Sequence, residues 1–302
     1  MRAAGGARRM IPFVRDMQFE YGIADLVSPL IRRVVANNPG PFTYLGTGTY
    51  IVGHDEVAVI DPGPLEPSHL EAIMNTIAGE QVLAILTTHT HVDHSPLANP
   101  LKEKTGALIH GRADPNTSSG FEEANEAHFR PDIEIGDGAV VSGPGWTLEA
   151  IATPGHASNH VCYALREENA LFSGDHVMGW STTVVSPPDG DMTAYYSSLD
   201  SIEARGFKTL WPTHGPPVLE VAPFIAAYRA HRFDRERQIL AEIAAGRTTV
   251  SAMVPVMYAA VDPRLHPAAS HSVLAHLIHL TRAGQVFTDG APAIDSRYRL
   301  AV

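Results

Sequence analysis

Four side chains able to hold a metal ion stand within six residues of this chain, in His89-Thr90-His91-Val92-Asp93-His94. The stretch before them, Gln81-Val82-Leu83-Ala84-Ile85-Leu86, is apolar after its first residue and reads as a buried strand. The cluster therefore sits where a strand gives way to a loop. Neutral imidazoles and a carboxylate are ligands that suit zinc. Packing gives no reason to gather three histidines and an aspartate at a strand end. The competing reading, a bland polar loop, leaves that composition unexplained.

Three more polar residues each follow an apolar, strand-like run directly. His156 comes after Leu148–Gly155, Asp175 after Ala170–Gly174, and His214 after Lys208–Thr213. Gly or Pro flanks each one, which suits tight turns that aim a side chain. Seven candidate ligands exceed the needs of one tetrahedral zinc. They suit two metals about 3.5–4 Å apart, with open positions for water.

The series His89-x-His91-x-Asp93-His94, Thr153-Pro154-Gly155-His156, Ser173-Gly174-Asp175 and Thr213-His214-Gly215 resembles the motif series of the metallo-β-lactamase superfamily. Asp61, in Val59-Ile60-Asp61-Pro62-Gly63, matches that family's early Asp-x-Gly motif. The resemblance implies an α+β fold, an αβ/βα four-layer sandwich with two facing sheets, helices outside and metals at one edge. It also implies two Zn2+ per chain. His89, His91 and His156 would hold the first, Asp93, His94 and His214 the second, and Asp175 would bridge them. Asp61 would accept the remaining ring N–H of a ligating histidine. A serine-type lactamase is excluded, because no Ser-x-x-Lys nucleophile stands in a fitting context.

Two zinc ions lower the pKa of a shared water toward about 7 and polarise the oxygen that gains charge. Asp93 is the candidate to hold that water and take its proton. His176, beside Asp175, is a candidate proton donor to the leaving group, with a packing role as the competing reading. Ser158, Asn159 and His160 could orient the loop that carries His156. The lone cysteine, Cys162, excludes an internal disulfide and reads as a buried, inert thiol in a core strand.

A chain of 302 residues with 44% hydrophobic and 18% charged residues suits a soluble protein with a sizeable core. No run of 18 apolar residues is present, and no apolar segment follows the basic start Met1–Met10, so a cytoplasmic protein without a membrane span is expected. Residues 1–10 read as a disordered start, or as preceding true initiation at Met10. The net charge is −11, yet residues 225–302 hold 9 Lys+Arg against 6 Asp+Glu. The tail thus differs from the body. Residues 1–224 are expected to form the catalytic domain. Residues 225–302 are expected to form a small, mainly helical, winged-helix-like domain.

Along the body, helices are expected at Ala24–Val27, at Ser68–Ile77 with Ser68 as cap, and at Ser95–Thr105 with a break at Pro100. Strands are expected at Thr49–Gly53, Glu56–Ile60 and Gly106–Gly111. The polar stretch Arg112–Arg130 reads as a cover over the site. In the tail, helices are expected at Ala222–Ala245, Thr249–Tyr258 and Pro267–Arg282. His271, His276 and His279 invite a zinc reading, but solvated or capping histidines are expected instead.

The segments Ile31–Val35, Asn38–Thr43, Gly48-Thr49-Tyr50 and Gly179–Val184, with the tail, resemble the lactamase-beta-two-like group within the superfamily. One member class there cleaves single-stranded RNA. The resulting expectation is a dinuclear zinc hydrolase acting on a single-stranded RNA phosphodiester. The alternative is a hydrolase of a small-molecule ester, thioester, lactone or β-lactam, and the acidic net charge favours it, since phosphate contacts need local cations. In the RNA case Arg232, Arg235 and Arg237 would track the backbone. A reading of another class makes the tail a nucleic-acid or partner-binding module. The tail is expected to pack beside the metal-site edge and to help form the substrate entrance or a homodimer contact.

Overall fold

The computed structural model describes residues 11–113 and 129–301. The expected cover lies mostly outside the described residues, as does the start at 1–10. Seven strands form the first sheet, in sequential order. They are β1 (Ala24–Ser28), β2 (Ile31–Val35), β3 (Gly48–Val52), β4 (Glu56–Ile60), β5 (Gln81–Leu86), β6 (Leu108–Gly111) and β7 (Ile133–Glu134). The second sheet holds β8 (Val140–Gly143), β9 (Trp146–Ala152), β10 (Val161–Leu165), β11 (Ala170–Gly174) and β12 (Thr209–Pro212), in the order β12-β11-β10-β9-β8.

The inner faces of the two sheets meet. Tyr50, Ala58, Ile60, Ala84 and Leu86 from one pack with Trp146, Leu148, Tyr163, Phe172 and Trp211 from the other. On the outer face of the first sheet lie α1 (Pro67–Thr76) and α2 (Ala98–Thr105). On the outer face of the second lie α3 (Met192–Arg205) and the first half of α4 (Val221–Ala244). This is the four-layer sandwich. Alternation along β9, where Trp146, Leu148 and Ala150 turn inward, is the period-2 pattern of a strand between two environments.

The long helix α4 joins two cores. Phe224, Ile225 and Tyr228 belong to the body. Ile239 and Ile243 belong to a second core with α5 (Val250–Met257), α6 (His266–Arg282) and a hairpin of β13 (Val286–Thr288) and β14 (Tyr298–Leu300). Three helices and a hairpin make the winged-helix unit.

Three local expectations need correction. Residues 24–28 are a strand, because Ala24 to Ser28 pair antiparallel with β2 across a short turn at Pro29, and ladder pairing outranks local propensity. Helix α1 begins at Pro67 and has no side-chain cap; proline at the first position already has helical φ. Helix α2 starts at Ala98 rather than Ser95. Pro100 falls in its first turn, where a missing N–H breaks no helical bond.

Candidate metal centre

Every candidate ligand stands in a turn just beyond the C-terminal end of a strand. His89–His94 follow β5, His156 follows β9, Asp175 follows β11, and His214 follows β12. Both sheets deliver these ends to one edge of the sandwich. Two glycines allow the approach. Gly155 has φ +146, and a Cβ there would meet the Tyr195 backbone nitrogen at 2.7 Å. Gly174 has φ +52, and a Cβ there would meet His160 Nε2 at 2.6 Å.

The seven side chains converge as two trios with Asp175 between them. His89, His91 and His156 form one trio, and Asp93, His94 and His214 the other. Asp175 also groups with His89 and His94. In the first trio His91 Nδ1 lies 2.8 Å from His89 Nε2 and 3.2 Å from His156 Nε2. In the second, His214 Nε2 lies 3.1 Å from Asp93 Oδ2, and His94 Nε2 lies 3.6 Å from the same oxygen. Asp175 Oδ2 is 3.7 Å from His94 and 3.8 Å from His156, while its Oδ1 is 3.5 Å from His214.

The outer ring nitrogens fix the tautomers. His156 Nδ1 donates to Val184 O at 2.7 Å, His214 Nδ1 to Gly46 O at 3.2 Å, and His94 Nδ1 to Asp61 Oδ2 at 2.9 Å. Each bond turns Nε2 toward the centre, where a bound cation would take the place of its proton. His94 Nε2, His214 Nε2 and Asp175 Oδ1 are buried without a hydrogen bond of good geometry. Converging ligand atoms without hydrogen-bond partners are what divalent cations relieve, so the donor set fits metal ions.

The electrostatics divide the same way. Burial, then the neighbouring imidazoles, push His89 well below the usual histidine range. Burial opposes the charged form of His94, but Asp93, Asp175 and Asp61 outweigh it and hold His94 well above that range. His214 is raised for the same reason, with Asp175 and Asp93 overcoming burial.

Asp61 accepts more than the one bond the sequence implies. Its Oδ1 takes the Thr88 N–H at 2.7 Å. Its Oδ2 takes the Thr88 and Thr213 hydroxyls, each at 2.8 Å, and the ring N–H of His94. Asp61 therefore ties together the two turns that carry His89 and His214. Sequence reasoning missed both threonines. The signal was available: Thr88-His89, Thr90-His91 and Thr213-His214 repeat one dipeptide.

His160 joins two other turns. Its Nδ1 bonds Thr153 Oγ1 at 2.8 Å, and its Nε2 accepts from the Asp175 N–H at 3.2 Å. Ser158 N donates to Asp189 at 3.0 Å, and Asn159 donates to Thr90 at 2.9 Å. Cys162 is fully buried, and burial pushes its thiol up to about 12. His176 is fully buried against Tyr195, with ring centroids 4.8 Å apart, and burial pushes it down to about 3. It is not among the residues that line the cavity over the centre.

The tail histidines do not converge. His276 is buried and bonds Glu236 at 3.2 Å, His279 bonds Thr193 at 2.8 Å, and His271 bonds Ser186 at 3.1 Å. Solvation was the wrong expectation for His276, because α6 packs that face against α3 and α4.

A family model described as the metallo-beta-lactamase superfamily matches residues 44–214. The chain belongs to the metallo-β-lactamase superfamily. A second model, the beta-lactamase associated winged helix domain, matches residues 249–294. The chain is 35% identical over 224 residues to an atrochrysone carboxyl ACP thioesterase of Aspergillus chevalieri, covering 73% of this chain and 68% of that protein. It is 32% identical over 222 residues to a beta-lactamase-like protein 2 homolog of Caenorhabditis elegans, covering 71% of each. Its fold is that of a beta-lactamase domain protein from Burkholderia ambifaria, with a TM-score of 0.80 and 22% identity over 95% of this chain and 96% of that one. With its His/Asp clusters, this superfamily member is a metal-dependent hydrolase. Among the described residues, no helix is long and apolar enough to cross a membrane.

Proposed function

We propose that this hydrolase cleaves thioesters of apolar acyl groups, with two zinc ions held as the two trios and Asp175 suggest. One observation carries the reading. A cavity of about 360 Å3 opens over His156 and Asp175 and runs between the body and the winged-helix unit. Phe42, Met178, Trp180 and Val184 line it from the body, and Val261 and Ala269 from the tail. Such a wall suits an acyl chain and excludes water from it. The name of the Aspergillus chevalieri relative, a thioesterase, supports the same class.

When bound, the metals would supply an acidified water and polarise the acyl carbonyl. His89, His91 and His156 would hold one ion, and Asp93, His94 and His214 the other, with Asp175 shared. Asp93 keeps 14% of its side chain exposed at the centre, and its carboxylate would accept a proton there. His156 and Asp175 belong to the cavity lining, so the carbonyl is presented at that end. A thiol has a pKa of about 8.5, so its thiolate leaves without first being protonated. The reaction therefore does not need the proton donor that the sequence suggested in His176. An RNA alkoxide would need one.

The tail arginines also favour a small substrate over RNA, because Arg232 and Arg235 line the cavity and the exposed Arg237 is paired. Arg232 is buried and donates to Thr183 O. Arg235 stacks over Tyr258 at 4.4 Å, and Arg237 pairs with Asp234 at 2.8 Å. The test is release of free thiol from acyl-N-acetylcysteamine thioesters by zinc-loaded protein, beside labelled single-stranded RNA and a His89→Ala control. Zinc-dependent thiol release with intact RNA is expected. RNA cleavage lost in His89→Ala, without thiol release, would overturn the reading.

A further inference from the structure

Helix α4 carries four arginines between residues 229 and 237, and they fall into two kinds. Arg229 pairs with Asp200 at 2.5 Å and Glu203 at 2.6 Å, and Arg237 pairs with Asp234. These are ordinary surface ion pairs. Arg232 and Arg235 lie three residues apart on one face of the helix, and that face lines the cavity. Neither makes a carboxylate ion pair among the described residues.

Their partners are all neutral. Arg232 is 3% exposed, lies over the Tyr195 ring at 5.2 Å and donates to Thr183 O, and its Nε has no hydrogen-bond partner. Arg235 donates to Gln238 at 2.9 Å and Met257 O at 3.3 Å. A third guanidinium, that of exposed Arg15, joins the lining. Asp175 is the one carboxylate among the described lining residues, and it belongs to the metal centre. Glu236, one helical turn on, shares the His276 neighbourhood with Arg232, but its carboxylate is bonded to Tyr196 and His276 and makes no ion pair with Arg232.

Burying a guanidinium without a directly paired carboxylate is unfavourable. An apolar cavity gains nothing from cations unless its occupant brings the opposite charge. A planar fork of N–H donors matches carboxylate and phosphate oxygens.

We propose that Arg232 and Arg235, with Arg15, form an oxyanion-recognition site in the cavity wall, and that the substrate is an amphipathic thioester carrying a carboxylate or phosphate on an apolar chain. The substrate clause rests on the thioester reading; the anion site does not. The anion has two sources. A carboxylate would sit on the acyl chain, and a phosphate on the pantetheine arm of the thiol.

Binding is measured first, on the metal-loaded full chain, with octane-1-sulfonate and its uncharged analogue octyl methyl sulfone. A sulfonate is a weak metal ligand, so it probes the arginines. Calorimetry is expected to show the sulfonate binding at least 10-fold more tightly than the sulfone. That ratio should fall toward one in Arg235→Gln and recover in part in Arg235→Lys. Equal binding of the two probes, no binding of either, or an unchanged ratio in Arg235→Gln would each overturn the site. Because a ratio is read, a general loss of folded protein does not imitate the effect. Arg232→Lys serves as the second variant, with the same lowered ratio expected.

Turnover then locates the charge. Adipoyl and hexanoyl thioesters of N-acetylcysteamine are compared with the hexanoyl thioester of 4′-phosphopantetheine. Preference for the adipoyl substrate places the anion on the acyl chain; preference for the phosphorylated arm places it on the thiol. Equal kcat/KM for all three would overturn the substrate clause. No hydrolysis of any, with the sulfonate ratio intact, would overturn the thioester reading and keep the anion site.

Discussion

The two walls of the cavity are built differently. The metal floor comes from turns at strand ends, where each ligand is adjacent in sequence to the strand that positions it. The opposite wall comes from α4, the segment between α5 and α6, and the first turns of α6, whose lining residues become neighbours only when the helices pack. Both regions are rich in histidine. On the floor the imidazole nitrogens converge to 2.8 and 3.2 Å; in the tail His271 bonds Ser186, His279 bonds Thr193 and His276 bonds Glu236, whose Oε1 lies 3.9 Å from His279. Convergence, not abundance, separates a metal centre from a polar interface.

The floor is expected to respond most strongly to substitution. His89→Ala removes a nitrogen from the first trio, and kcat/KM should fall at least ~10^3-fold, the scale of losing several kcal/mol of charge stabilisation. Asp93→Ala should empty the second trio while His89, His91 and His156 keep much of their metal. Elemental analysis of both purified variants checks this, and equal depletion at both sites would break the two-trio division.

Asp61→Ala comes next. It strands the Thr88 and Thr213 hydroxyls, the Thr88 N–H and the His94 ring N–H. Loss of such an outer partner lowers metal affinity by roughly 10–100-fold. Competition with a chelator measures that directly. An unchanged affinity would mean that the strand-end turns are held without Asp61.

The floor was legible because each ligand motif is local: a β-rich run and then a donor, with a glycine or proline beside His156, Asp175 and His214. Asp61 was legible as a partner of a ligand histidine, but not the two threonines that share it, because Thr213 is 152 positions away. The layers of the sandwich came from family resemblance; periodicity showed only that strands and helices alternate. The strand at 24–28 was illegible because its partner β2, not its own residues, fixes its conformation. In the tail the helices were visible and their contacts were not. Arg232 looks like any cation on a solvated helix until Tyr195 and Thr183 close over it.

Gly155→Ala tests how tightly the floor is joined to α3. The new Cβ would meet Tyr195 Cα at 2.5 Å and would hold an unfavourable φ of +146. Both effects act on the turn that carries His156. A loss of roughly 1–3 kcal/mol is expected from overpacking and strain. Thermal melting measures it, with metal content read on the same sample. A variant that melts like the parent would show that α3 yields easily.

The smallest expected effect concerns the seam between body and tail. His276 of α6 is buried beside Glu236 and Arg232 of α4 and His279 of its own helix. Tyr196 of α3 donates to the same Glu236. Burial dominates and pushes His276 down to about 4, with Arg232 and His279 helping and Glu236 opposing. The fold thus holds His276 neutral, whereas the unfolded chain protonates it near pH 6.5. Its contribution to stability is present above pH 6.5 and is lost as pH falls from 6.5 toward 4. Ligand histidines of the floor also respond to acid, so the quantity to read is a difference between proteins. His276→Gln keeps a polar group at the seam but does not titrate. Between pH 7.5 and 5 the parent should lose more thermal stability than this variant, with most of the divergence below pH 6.5. Parallel pH profiles would show that the seam does not sense acid and would leave the metal floor as the origin of any acid sensitivity.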